Sequence, residues 1–224
     1  MDKKTKFFGI TAIVCICLAI TMLSNIPAYL QFKNNEITNL NNESLVLNKG
    51  DLIEGDVDMV LGAAVEEYST NFGVRTSKDS SKLYYVIWLD NNRFALYETG
   101  NKEQYDQLEK LTDETFDYFD SKDVYEESGD IDDLKLPEST MHLTGRVTSM
   151  PSDVKAYYVE WYNDAVGDSD FSSRTETLMI TNADFSRFGM IVIVGAVSAA
   201  LAVLSLILTL VFYKKSKADS NFGY

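Results

Sequence analysis

Residues 188–213 read FGMIVIVGAVSAALAVLSLILTLVFY, 26 positions without one charged side chain. At about 1.5 Å of rise per residue, a helix of that length crosses the roughly 30 Å hydrocarbon core of a bilayer. Arg187 stands at its start, and Lys214, Lys215 and Lys217 follow its end. A second apolar run lies at the other end of the chain. Residues 7–23, FFGITAIVCICLAITML, are 17 positions without a charge, and SNIPAYL carries the run on to Leu30. Lys3, Lys4 and Lys6 precede it. A cleaved signal peptide has a shorter apolar region with a small-x-small site close behind, so this run reads as an uncleaved anchor. Lysines lie beyond the outer ends of both runs, and the positive-inside rule therefore assigns both termini to the cytoplasm. The expected organisation is a multi-pass cell-membrane protein. A cytoplasmic tail at 1–6 leads into a transmembrane helix at 7–30 and a stalk at 31–50. An extracytoplasmic domain at 51–183, a juxtamembrane link at 184–187, a second transmembrane helix at 188–213 and a cytoplasmic tail at 214–224 follow.

Charge sharpens the division. The chain has a net charge of −14, and the tails contribute six Lys and two Asp. Residues 31–187 thus hold 14 Lys or Arg against 32 Asp or Glu, and 14 minus 32 gives −18. A surface that negative repels nucleic acid and anionic lipid headgroups, which both bind through clustered Lys and Arg. It favours cations, basic partners or simple solubility. Cys15 and Cys17 both fall in the first apolar run, so the middle of the chain has no disulfide and folds on its core alone. An exported domain of that kind is more typical of Gram-positive bacteria than of eukaryotic ectodomains. Neither apolar run contains an Asp, Glu, Lys, Arg or His, which argues against a proton relay or an ion path. In the second run, Gly195 and Ala199, Ala196 and Ala200, and Ser198 and Ala202 are small residues four apart. Such a face admits another helix closely, either the first span through Gly9, Ala12 and Ala19 or a second copy of the chain.

Between the spans the pattern is mixed. Residues 31–50, QFKNNEITNLNNESLVLNKG, are rich in Asn and read as an extended stalk. Apolar residues alternate at Val57, Met59, Leu61, Ala63 and Val65, which argues one long strand with a bulge at Gly62, a helix being the alternative. LYYVIWL at 83–89 and FALY at 94–97 flank Asp90, Asn91, Asn92 and Arg93, which predicts a β-hairpin. Asn101 precedes a helical stripe of Leu108, Leu111, Thr115, Tyr118 and Phe119, giving a helix from about Lys102 to Phe119. The acidic stretch 126–133 reads as a solvated loop. A strand holding Met141, Leu143 and Val147 comes next. Ser152 then caps a helix with the stripe Val154, Tyr157, Tyr158, Trp161, Tyr162 and Ala165. ETLMIT at 176–181 is the last strand. The order predicts an α+β domain with a mainly antiparallel sheet and two helices.

No catalytic constellation stands out. His142 is the only histidine and alternates with strand neighbours that place it on a polar face. A Ser-Lys dyad has no signature, although Lys78 and Lys82 are candidates. Asp56 with Asp58, Asp130 with Asp132 and Asp133, and Asp164 with Asp168 and Asp170 carry the oxygen ligands calcium prefers. Their spacing does not match an EF-hand, because Ser173 and Met179 stand where Gly and Glu are required from a start at Asp168. They read as solvated loop acids, and no metal or cofactor is expected. Tyr84, Tyr85, Trp88, Tyr157, Tyr158, Trp161 and Tyr162 suit either a core and its rim or the wall of a sugar or peptide groove.

At LYYVIWL, TFDYF, HLTGRVTSM and AYYVEWYND the chain resembles uncharacterised two-span membrane proteins of Gram-positive bacteria. The resemblance covers about residues 50–165 and both spans, and implies topology without activity. Two functions fit this sequence. One is a noncatalytic, membrane-tethered interaction or sensing domain in a membrane or envelope assembly. The other is an extracytoplasmic hydrolase of envelope material working through paired carboxylates.

Overall fold

The structure, a computed structural model, describes residues 3–71, 74–76, 80–131, 134–167 and 170–221. Contacts divide the chain into two units, one made of both termini and one of residues 36–183.

In the first unit, α1 (Lys3–Leu23), α2 (Ile26–Lys33) and α6 (Phe188–Asn221) are the helices, with a short 3-10 turn at Phe185–Arg187. Two stretches, Lys3–Lys33 and Phe185–Lys217, are long and apolar enough to cross a membrane. The break between α1 and α2 follows from Pro27, which has no amide hydrogen to give to Leu23. Nearby carbonyls are served instead by side chains: Ser24 Oγ donates to Thr21 O at 2.7 Å, and Asn25 Nδ2 donates to Thr21 O at 3.2 Å. Thr11, Thr21 and Thr209 hydroxyls each donate to the carbonyl four residues earlier and are satisfied within their own helices. Helices α1 and α6 pack antiparallel, as shown by Gly195 against Met22 and Leu23 at one end and the stacked rings of Phe8 and Phe212 at the other.

The second unit is α+β. Its seven-stranded sheet contains β1 (Thr38–Asn39), β2 (Leu52–Val57), β3 (Val60–Glu67), β6 (Lys82–Trp88), β7 (Phe94–Thr99), β8 (Met141–Ser149) and β9 (Thr175–Asn182), in the order β1-β2-β8-β9-β7-β6-β3. A separate two-stranded ribbon joins β4 (Thr70–Asn71) to β5 (Val74–Arg75). The sheet is mixed: β1–β2 and β7–β9 are parallel, and its other ladders are antiparallel. Helices α3 (Lys102–Ser128), α4 (Ser152–Val166) and α5 (Phe171–Arg174) complete the unit.

The run expected to be one strand at 57–65 is instead the hinge of the architecture. Strand β2 ends at Val57 and β3 starts at Val60, yet they lie five places apart in the sheet. Three Cα steps reach at most about 11 Å, whereas five flat strand spacings need about 24 Å. The sheet must therefore curl until its two ends nearly meet, and the chain swaps from one end to the other at Asp58–Met59. At the swap, Trp88 N–H donates to Met59 O at 3.1 Å. Gly62, with φ +105°, sits at a register shift in β3, where the expected bulge lies.

Curling gives the sheet an inner core. Ile53 and Val57 from β2, Val60 from β3, and Tyr85, Ile87, Ala95, Tyr97, Leu143, Val147 and Ile180 from the strands between them form one cluster with Leu108 and Leu111 of α3. A second cluster on the opposite face joins Tyr84, Val86, Phe94, Leu96 and Met179 to Val154, Tyr158 and Tyr162 of α4. Residues 36–50 differ from the stalk that their Asn content suggested. Leu40, Leu45 and Leu47 are buried in the inner cluster, and Leu40 N–H donates to Glu54 O at 2.8 Å. Helix α3 is also longer than its apolar stripe implied. Asn101 caps it through Glu103 N–H at 3.1 Å, but it runs through the acidic stretch to Gly129, whose φ of +71° ends it. In α4, Ser152 is the first helical residue and Pro151 holds the cap position.

Candidate ligand groove

The C-terminal half of α3 and the C-terminal end of α4 flank a groove of about 310 Å³ in the sheet unit. Its walls are Leu61 of β3, Trp88 and Phe94 at the ends of β6 and β7, Phe116 and Phe119 of α3, Trp161, Ala165 and Val166 of α4, and Arg174 of α5. Each wall has a local cause. On α4, Tyr158 and Tyr162 point into the outer core, which turns Trp161 and Ala165 toward the groove. Trp88 packs edge-on to Phe94 at 5.3 Å and tilted against Phe119 at 6.1 Å. Phe116 stays 51% exposed at the groove's mouth.

Arg174 is the single charged wall. Phe171 anchors α5 by edge-on contacts to Tyr158 at 5.0 Å and Tyr162 at 5.3 Å, and three residues later Arg174 lies with its guanidinium 5.6 Å from the centre of the Phe94 ring. Its Nε is buried and has no hydrogen-bond partner among the described residues. Arg93, by contrast, is ion-paired to Glu176 at 2.8 Å.

The residues singled out from the sequence scatter. Of the seven aromatic candidates, Trp88 and Trp161 line the groove, Tyr84, Tyr85, Tyr158 and Tyr162 are core, and Tyr157 is 59% exposed. Burial holds the Tyr84, Tyr85, Tyr97 and Tyr158 hydroxyls well above the usual tyrosine range, so none serves as a base. Tyr85 donates to Glu109 at 2.6 Å and Tyr84 to Glu67 at 3.1 Å. His142 Nδ1 lies 2.9 Å from Asp56 Oδ1, both side chains exposed. Lys82 is ion-paired to the buried Glu98 at 2.6 Å, and that hydrogen bond raises its pKa, the opposite of what a basic lysine at a catalytic dyad needs. Lys78, Asp132, Asp133 and Asp168 lie outside the described residues. Among the described residues, no three His, Cys, Asp or Glu side chains gather as a metal site. Phe116 and Phe119 escaped the sequence reading because TFDYF on a helix looks like any apolar stripe.

In the helical unit, the seam between α1 and α6 follows Thr5, Ala12 and Ala19 on one side and Gly195, Ser198, Ala202 and Ser205 on the other. A Cβ on Gly195 would meet Met22 Cβ and Leu23 Cδ2 at 2.9 Å. Ala199 is half-buried, and Ala196 and Ala200 are exposed. Spacing alternates three and four because antiparallel helices that stay together follow a period near 3.5, which a search for residues four apart reads only in part.

A family model described as Domain of unknown function (DUF8577) matches residues 1–213. No curated protein and no solved structure matches the chain.

Proposed function

We propose that this chain, which belongs to that family, is a membrane-tethered binding protein. Its sheet unit lies outside the cytoplasm and takes an apolar ligand into the groove, in a sensing or interaction role within a membrane or envelope assembly. The observation that carries the reading is the groove: eight apolar walls and one cation around about 310 Å³, at the lower end of the volumes that ligand sites occupy. No wall among the described residues is a carboxylate, so the groove lacks the acid pair that envelope hydrolysis would use. The lysines beyond both apolar runs support the outside placement, and the sequence resemblance to two-span proteins supports a Gram-positive envelope.

A photo-crosslinking amino acid at Phe116 tests this in cells. A discrete adduct is expected from Phe116 and none from Val124, which is equally exposed on the same helix but outside the groove. Equal adducts from both positions, or none from Phe116, would refute a binding groove.

A further inference from the structure

We infer that the ligand of this groove is a single-chain amphiphile with a carboxylate head, a fatty-acid type of molecule, held by Arg174 at the head and by the aromatic walls along the chain. The inference rests on the binding reading above and names its ligand class.

Three observations narrow the chemistry. First, Leu61, Phe116, Phe119, Ala165 and Val166 present hydrocarbon and ring surface, and Trp161 adds a ring with one indole N–H. A peptide needs partners for its own amides, because a buried, unpaired amide is costly. The α3 walls have their backbone groups engaged within the helix, and the wall side chains offer one charged fork and the Trp161 indole N–H. An acyl chain asks for nothing more. Second, residues 31–187 carry −18, so an anion approaching this unit meets general repulsion. A cation held among rings in a groove of such a unit favours a negative head there. Third, the Arg174 Nε is buried without a hydrogen-bond partner among the described residues, and of the two arginines flanking this end of the sheet it is Arg93 that is ion-paired to Glu176. An arginine presents parallel N–H groups that match a carboxylate in a bidentate way. For a chain with two helices apolar enough to span a membrane, molecules with an acyl chain and an anionic head are also an abundant ligand class.

The sequence supplies its own probe. The chain has two tryptophans, Trp88 and Trp161, and both are groove walls. Tryptophan emission from the full-length protein in lipid vesicles, which contribute no tryptophan, therefore reports on the groove alone. We would titrate 11-bromoundecanoate, whose bromine quenches on contact, against 11-bromoundecanol, which has the same chain with a neutral head. Saturable quenching by the acid is expected, at least tenfold tighter than by the alcohol, because a charge-assisted hydrogen bond is lost with the head. Shorter bromoalkanoates should weaken by about fourfold per methylene removed. Arg174→Gln should bring the acid down to the affinity of the alcohol and leave the alcohol unchanged, which also shows that the groove is intact. Arg174→Lys, which keeps the charge and loses the fork, should fall between. Phe116→Asp should abolish saturable quenching by both. Equal affinity for acid and alcohol, indifference to Arg174→Gln, or saturable quenching that survives Phe116→Asp would each overturn the proposal. Absence of saturable quenching by either probe would overturn it too. If the Phe116 crosslink then still traps a protein, the binding reading survives without the lipid; if it traps nothing, both fall.

Discussion

Replacing Thr115 by valine should loosen the closure of the curled sheet at a cost that the structure lets us work out. Thr115 is fully buried; its Oγ1 accepts the Val60 N–H at 3.0 Å and donates to Leu111 O at 2.7 Å. Val60 opens β3 immediately after the swap, where its amide faces α3 rather than a ladder partner. Valine has the same shape as threonine, so no cavity forms, but the Val60 amide is left buried and unpaired. That costs about 1–3 kcal/mol. Serine at the same position keeps the hydrogen bond and removes one methyl, which costs about 1 kcal/mol. Urea unfolding of the full chain in lipid vesicles, followed by tryptophan emission, reads the sheet unit only, since Trp88 and Trp161 both belong to it. With a urea dependence of about 2 kcal/mol per molar, Thr115→Val should lower the midpoint by about 0.5–1.5 M, and Thr115→Ser by about 0.5 M. A valine variant within 0.2 M of the parent, or a serine variant clearly less stable than valine, would refute the claim that the hydroxyl closes the sheet.

Three further outcomes are expected. The Ser139 hydroxyl, then its amide and the Lys110 ammonium, hold the Glu114 carboxyl below its usual value of 4.5; a depressed folded-state pKa gives stability that is present above the unfolded value and lost as pH falls through the folded one. Glu114→Gln should therefore be less stable than the parent by about 1 kcal/mol at pH 7, with the gap closing in urea melts below about pH 4. Gly195→Leu should disrupt the α1–α6 seam, where a Cβ already meets Met22 and Leu23 at 2.9 Å, whereas Ala196→Leu on the exposed side should not; disulfide trapping between cysteines placed at Thr5 and Phe212 should fall only in the first. In a background with Cys15→Ala and Cys17→Ala, a membrane-impermeant thiol reagent on intact cells should label Val46→Cys, a 70% exposed position, and leave Ser216→Cys unlabelled. The reverse pattern would invert the topology.

Elements with strong local signals were legible from sequence, and those decided by distant contacts were not. The hairpin of β6 and β7 announced itself through LYYVIWL and the Asn-rich turn, where Asn92 adopts φ +60°. Asn101 announced the start of α3. The end of α3 was obscured because acidic residues read equally as a solvated loop or as an exposed helix; Gly129, not composition, decides. Residues 38–57 misled for a different reason. Asn41 accepts the Asp56 N–H at 2.8 Å and donates to Asp56 O at 2.7 Å, acting as a stand-in for backbone pairing, so an Asn-rich segment here is a built part of the sheet's edge. Nothing local signals that role. The same holds for Val57 to Val60, whose alternation is continuous along the chain while its ladder partners change from β8 to β6. As for the groove, Trp88 and Trp161 were visible as candidates, but Phe116, Phe119 and Arg174 become walls only once α3, α4 and α5 are placed on opposite faces of one curled sheet.

The swap and the groove are one construction. Met59 O accepts the Trp88 N–H, fixing the end of β6 that carries the Trp88 wall. One residue on, Val60 gives its amide to Thr115, which sets the height of α3 and with it Phe116, the next residue, and Phe119, one turn further. Leu61 then lines the groove itself. Three consecutive residues that let the chain pass from one end of the sheet to the other thus also position four of the groove's walls. A ligand that clamped those walls would be favoured by the closed sheet and would favour it in return, adding to the stability of the junction by linkage as its free concentration rises above Kd.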